Sequence, residues 1–106
     1  MDAITAPELA QLQAQGQHFA LLDVRRDSAR LKDGTQIANA QWHNPALWLE
    51  WKDQIPKDRP VVVYCAHGQE ISQGLTTVLR VMGLKAHYLD GGIAAWNAAK
   101  LPTTQL

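Results

Sequence analysis

The sequence predicts an α/β fold, an open parallel sheet with helices on both faces, and three observations predict it. Helical and strand periods alternate along the chain, the strand segments are apolar on both faces, and a strand, a tight loop and a helix follow one another around Cys65. At 106 residues the chain has one domain's length, so residues 1–106 are expected to form a single domain with its own core.

The first helix starts at Thr5-Ala6-Pro7-Glu8, where an N-cap hydroxyl, a proline in the first turn and a glutamate three residues after the cap satisfy the orphan amides. It runs to about Gln15 and stops at Gly16. Phe19-Ala20-Leu21-Leu22-Asp23-Val24 reads as a buried strand that Arg25-Arg26-Asp27 carries to the surface. From Asp27 to Asn44 no period is sustained, although Gln36 to Ala40 suits a short strand. Asn44 before Pro45 caps a helix with Leu47, Trp48, Trp51 and Ile55 on one side, and Pro56 ends it. Pro60 opens the most apolar strand, Val61 to Tyr64, with Cys65 at its end. After the loop Ala66-His67-Gly68-Gln69-Glu70, residues Ile71, Leu75, Val78, Leu79 and Met82 recur at helical spacing up to a capping Gly83. Ala86 to Leu89 is a further strand, Asp90-Gly91-Gly92 a turn, and Ile93 to Ala99 a last helix before Pro102.

Composition narrows the function. Acidic and basic residues number ten each, so no general field draws the chain to nucleic acid or to an anionic membrane. The longest apolar run is a strand's length, far from the roughly 20 residues of a membrane span. One cysteine excludes an internal disulfide, and the chain does not open like a secretory signal; a cytoplasmic setting is expected. The histidines, His18, His43, His67 and His87, show no metal-ligand spacing with Cys65. Among the tryptophans, Trp48 or Trp51, and Trp96, suit the core from their helical context, whereas Trp42 lies in the irregular stretch and is a candidate for exposure.

Cys65 stands where ligands collect in open α/β sheets, outside a strand's carboxyl end with a helix N-terminus facing it across five residues. Such a loop turns backbone N–H groups inward, and the helix adds about half a positive charge. A thiolate there is favoured, and Cys65 becomes a nucleophile at neutral pH. The plainer reading makes Cys65 a small core residue.

These residues resemble the rhodanese homology domain. The resemblance rests on Ile4-Thr5-Ala6-Pro7-Glu8-Leu9, on Leu22-Asp23-Val24-Arg25, on Pro60 to Cys65 with Gly68 three residues later, and on Gly91-Gly92-Ile93-Ala94-Ala95-Trp96 followed by Leu101-Pro102. It implies a rhodanese-like sheet and a sulfurtransferase of thiosulfate type, with Cys65 catalytic. The thiolate takes the outer sulfur of thiosulfate or a persulfide donor. The loop residues Ala66, His67, Gly68, Gln69, Glu70, Ile71 and Ser72 hold the resulting persulfide for a thiol or cyanide acceptor. Small sulfur donors and thiols are the implied substrates, an acceptor protein a further partner, and neither metal nor organic cofactor is called for.

Two features depart from the family pattern, and a third argues against a competing enzyme class of the same fold. Glu70 occupies a loop half that carries a basic residue in many members; facing inward it would oppose both thiolate and thiosulfate, so it is expected to point outward, or it is a solvated charge without a role. Thr35-Gln36-Ile37 stands where the family has Gly-His-Ile. Position 71 is Ile, so the Arg that phosphatases of this fold place six residues after the cysteine is missing. His67 is a substrate donor or a surface histidine, Asp23 and Arg25 are expected to knit the strand end to neighbouring loops, and Ser72 is expected to cap its helix. The competing function is a non-catalytic module that carries, binds or senses sulfur.

Overall fold

The computed structural model describes residues 2–106, and the most apolar strand of the chain lies at the centre of its sheet. In chain order the elements are β1 (Ala3–Ile4), α1 (Ala6–Ala14), β2 (Ala20–Asp23), α2 (Asp27–Asp33), β3 (Thr35–Ile37), β4 (Gln41–Trp42), α3 (Trp48–Trp51), β5 (Val61–Tyr64), α4 (Glu70–Val81), β6 (Ala86–Leu89), α5 (Gly92–Ala98) and β7 (Thr103–Gln105). The main sheet has five strands in the order β1-β6-β5-β2-β4, and every pairing is parallel. β3 and β7 form a separate antiparallel pair.

Alternation along β5 divides the core. Val61, Val63 and Cys65 pack with Leu22 and Val24 against Trp51, Ile55, Leu75 and Leu79, the layer of α3 and α4. Val62 and Tyr64 face the other way, onto Leu9 of α1 and Ile93 and Trp96 of α5. Both faces of the central strands are therefore dry, as their unbroken apolar runs require. All four residues of β5 are buried.

Local chemistry explains the ends. Thr5 and Glu8 form the expected capping box: the Thr5 N–H donates to Glu8 Oε1 at 2.9 Å and the Glu8 N–H to Thr5 Oγ1 at 3.2 Å. Asn44 Oδ1 accepts from the Ala46 N–H at 3.0 Å, but the segment beyond it is not one helix. It breaks into a 3₁₀ turn Pro45–Leu47, the single turn α3 and a second 3₁₀ turn Lys52–Gln54, ending before Pro56 as expected. A Trp51 indole N–H that bonds the Asn44 carbonyl at 2.8 Å folds this segment back on its own start.

The stretch from Asp27 to Asn44, without a period in sequence, holds α2, β3 and β4. α2 buries none of its residues, so it has no apolar stripe to read. Asp23 and Arg25 are both buried and joined at 2.7 Å. Arg25 also donates to Asp33 Oδ2 at 3.1 Å and to the Thr35 carbonyl at 2.7 Å, while its own carbonyl accepts the Trp42 indole N–H at 2.8 Å. One guanidinium thus ties β2 to the end of α2 and the start of β3, which is the knitting role expected of it. Trp42 is half-buried, with the Arg30 guanidinium 4.6 Å from its ring centroid, so it is not a free surface aromatic.

Removing one member of a buried ion pair leaves the other charge without compensation, at a cost of about 3–5 kcal/mol. Arg25→Met is expected to lower stability by that amount in urea unfolding, and the double variant Asp23→Asn/Arg25→Met to recover part of it; a single variant as stable as the parent would refute the role given to Arg25.

Candidate active site

Cys65 lies one residue past the end of β5, with its side chain on the α4 side of the sheet, and it is buried. Three peptide planes shape what surrounds its sulfur. The Cys65 carbonyl accepts the Ile93 N–H at 3.0 Å and the Ala66 carbonyl accepts the Ala94 N–H at 3.0 Å, so both oxygens turn toward α5. The Gly68 carbonyl accepts from Gln73 Nε2 at 2.8 Å. In a trans peptide the N–H points opposite to the C=O, so fixing the carbonyls of Ala66 and Gly68 aims the amides of His67 and Gln69 the other way, at the sulfur. Those two amides, with the amide of Ser72, lower the pKa of the Cys65 thiol.

Ser72 corrects the expectation of a cap. The residue ahead of α4 is Gln69, which makes no side-chain cap bond. Ser72 is the helix's third residue, fully buried, with Oγ 3.1 Å from Cys65 Sγ. Burial alone pushes the Cys65 thiol up; the Ser72 hydroxyl and the amides of Ser72, Gln69 and His67 outweigh it, and the thiol titrates below the ordinary cysteine value. The arrangement favours a thiolate without any cation in contact with it.

The loop closes only because glycines stand beneath it. Gly68 has φ +70°, and a Cβ there would come within 2.6 Å of the Gly91 nitrogen and 2.7 Å of the Leu89 oxygen. Gly92 has φ +61°, and a Cβ on it would overlap the Cys65 carbonyl. The distant Gly91-Gly92 pair is therefore the floor of the cysteine loop.

Of the loop positions singled out in sequence, Ala66, His67, Gln69, Glu70 and Ile71 border a cleft of about 380 Å³ that opens at Cys65. Gly68 and Ser72 do not line it. His67 and Glu70 are exposed at the mouth, Glu70 as the first residue of α4, where the helix dipole favours a carboxylate. The remaining border comes from Arg25 and Arg26, just after β2, and from Ser28 and Ala29 in the first turn of α2. Arg26 is exposed there and, among the described residues, forms no salt bridge. Sequence reasoning took Arg26 only as a surface charge. The signal was available: β2 and β5 are neighbours in a parallel sheet, so the loops after both leave at the same edge. Among the described residues no cluster of three or more His, Cys, Asp or Glu could hold a metal ion.

The family model for the rhodanese-like domain matches residues 5–99. This chain belongs to the rhodanese-like family. It is 33% identical over 98 residues to thiosulfate sulfurtransferase GlpE of Vibrio cholerae serotype O1, covering 88% of this chain and 86% of that protein. It is also 33% identical over 103 residues to the probable adenylyltransferase/sulfurtransferase MoeZ of Mycobacterium tuberculosis, covering 93% of this chain but only 25% of MoeZ, so the chain spans about a quarter of that relative. Among solved structures, a rhodanese-related protein of Thermoplasma volcanium superposes with a TM-score of 0.85 at 25% identity, covering 98% of each chain. Membership and fold are those the sequence motifs implied.

Removing the Ser72 hydroxyl withdraws an acceptor from the thiol and a donor from the thiolate, and the bond to the charged form is the stronger. Ser72→Ala is expected to move the pH midpoint of Cys65 alkylation by iodoacetamide upward and to slow the reaction at pH 7 by about tenfold, given that a bond to a charged group is worth roughly 1.5–3 kcal/mol. An unshifted midpoint would show that the backbone amides act alone.

Proposed function

We propose that the chain is a sulfurtransferase that carries sulfane sulfur on Cys65, from thiosulfate or a persulfide donor to a thiol or, in the laboratory, to cyanide. The observation that carries this reading is Cys65 at the end of the central strand with Ser72 Oγ 3.1 Å from its sulfur and the carbonyls of Ala66 and Gly68 turned away from it, so that the loop amides favour an anion on that atom. The thiolate attacks the outer sulfur of thiosulfate; an S–S bond forms to Cys65, the S–S bond of thiosulfate breaks, and sulfite leaves with the bonding pair. The enzyme persulfide, Cys65–S–S⁻, keeps the single negative charge, and the amides of His67 and Gln69 stabilise it as they do the thiolate. An acceptor nucleophile then attacks the outer sulfur and returns Cys65 as thiolate. Each half-reaction balances without an oxidant, a metal or an organic cofactor.

Arg26 and Glu70 set the charge at the mouth. Arg26 attracts an anionic donor and Glu70 repels it, and the repulsion weighs most on the dianion thiosulfate. Residues 1–106 are read as one such domain, and an unpaired reactive cysteine suits a reducing, cytoplasmic setting. Glu70 also favours the second reading, a carrier or sensing module whose sulfur passes only to a partner protein.

Intact-mass spectrometry is the direct test: incubation with thiosulfate is expected to add one sulfur to the parent and none to Cys65→Ser, and cyanide to remove it. No adduct from thiosulfate or from a small organic persulfide would sink the enzyme reading, while an adduct that cyanide leaves untouched would favour the carrier. In steady-state assays Glu70→Gln is expected to lower the thiosulfate KM by a factor of about two to five and Arg26→Ala to raise it comparably, as befits exposed charges worth about 1 kcal/mol or less; unchanged values would remove both residues from substrate selection.

A further inference from the structure

A second cavity adjoins the Cys65 cleft. It is a groove of about 740 Å³ along the outer side of α4, and it shares Arg26, Ser28 and Ile71 with the cleft. Its floor is apolar, built of Ile71, Leu75 and Val78 of α4 with Trp48 and Pro45 opposite. Of its charged members, Asp27 is already paired with Arg30 at 3.1 Å, which leaves Arg26 as the cation at the junction of the two spaces. Thiosulfate, a small dianion without an apolar part, makes no use of such a surface.

Gly74 lies in the middle of this floor. It occupies the interior of a twelve-residue helix, where glycine is the poorest helix former after proline. Its backbone does not need glycine, since its φ is not positive, and a Cβ on it would meet nothing within 4 Å. No packing inside the chain accounts for the missing side chain. What the glycine preserves is depth in the groove beside Cys65.

We propose that this groove is the binding subsite for the organic part of a low-molecular-weight persulfide, R–S–SH, in which R carries both a carboxylate and an apolar segment. The inference rests on the sulfur-transfer reading and names the donor class for it. The carboxylate pairs with Arg26 at the junction, the apolar segment lies over Gly74 between Trp48 and Val78, and the outer sulfur reaches Cys65. The Cys65 thiolate attacks that sulfur, the S–S bond of the donor breaks, and R–S⁻ leaves along the groove; the proton of R–S–SH stays on the transferred sulfur. Volume and shape favour a small molecule, since concave sites of about 300–1,000 Å³ are the usual size for such ligands. Continuity with the cleft places it where its sulfur can react.

Two donors that share a carboxylate and differ only in acyl length isolate the groove: N-hexanoylcysteine persulfide and N-acetylcysteine persulfide, followed by the mass gain on Cys65 at limiting concentration. The parent is expected to load from the hexanoyl donor at least tenfold faster, in keeping with four buried methylenes. Gly74→Leu is expected to remove most of that advantage. Gly74→Ala and Gly74→Leu should both raise Tm, by about 3–8 °C, so that loss of loading cannot be put down to loss of fold. Equal loading from the two donors, or a full hexanoyl advantage in Gly74→Leu, would overturn the proposal. The unreactive S-methyl-N-hexanoylcysteine, titrated while the Trp48 indole NMR signal is followed, separates the two levels of inference. Binding at least tenfold tighter than the acetyl analogue, with no sulfur loaded from any donor, upholds the groove and refutes sulfur transfer. Equal or undetectable binding refutes the groove even if thiosulfate loads Cys65.

Discussion

The hydrogen bonds from the first turn of α5 to the carbonyls of Cys65 and Ala66 hold the orientation on which the site depends. A loop free to rotate its peptide planes would present as many oxygens as amides to the sulfur, and oxygens would repel a thiolate. Turning the carbonyls outward is therefore an electrostatic act as well as a structural one. It requires α5 to approach within backbone contact, and only glycines at 68 and 92 leave room for that. The helix is in turn seated by Trp96, fully buried, whose indole N–H bonds the Pro102 carbonyl at 2.9 Å. A chain of dependence thus runs from the C-terminal segment through Trp96 and Gly92 to the amides facing Cys65.

The opposite wall has a similar logic with charges in place of dipoles. Arg25 turns inward, where Asp23, Asp33 and the Thr35 carbonyl consume its donors, and its guanidinium carbon sits 5.7 Å from the Tyr64 ring centroid. Tyr64 accepts the Ile37 N–H at 3.2 Å, which carries the same network to β3. Because Arg25 is spent on the frame, its neighbour Arg26 is left to face the cleft. Two adjacent arginines serve different purposes because the strand end turns one in and the other out.

What could be read in the sequence followed from range. The capping box of α1, the apolar run of β5 and the glycine turns are decided by residues a few positions apart, and each appeared where the sequence placed it. β1 and β4 are two-residue strands that exist through pairing with β6 and β2, partners 85 and 19 positions away by register, so no local pattern announces them. α2 buries nothing, and β7 pairs with β3 across the length of the domain. The helix expected from Pro45 to Ile55 has a sound apolar stripe, but the Trp51 indole bond to the Asn44 carbonyl interrupts it with 3₁₀ turns. At the site the loop residues were legible from spacing after Cys65. Ser72 was misread because a serine near a helix start is usually a cap, and only the exact start of α4 shows it already the third helical residue, beside the sulfur. Arg26 was missed because adjacency of two strand ends is a property of the sheet.

The charge pattern that results is uneven in depth. Around the sulfur only neutral donors act, and their attraction suits a single negative charge on one atom, whether thiolate or persulfide. Formal charges stay at the rim, Arg26 on one side and Glu70 on the other, both exposed and so softened by water. Such a site does not hold a dianion strongly at its bottom, because no buried cation is available to it: Arg25, the nearest, is already neutralised by Asp23. Reactivity at Cys65 is thus separated from recognition, the first built from backbone amides that any member of the fold can supply, the second from side chains at the rim and along α4 that can vary without disturbing the thiolate. On the reading proposed above, this separation would let the apolar groove beside the cleft bear on the choice of donor while the chemistry at sulfur stays the same.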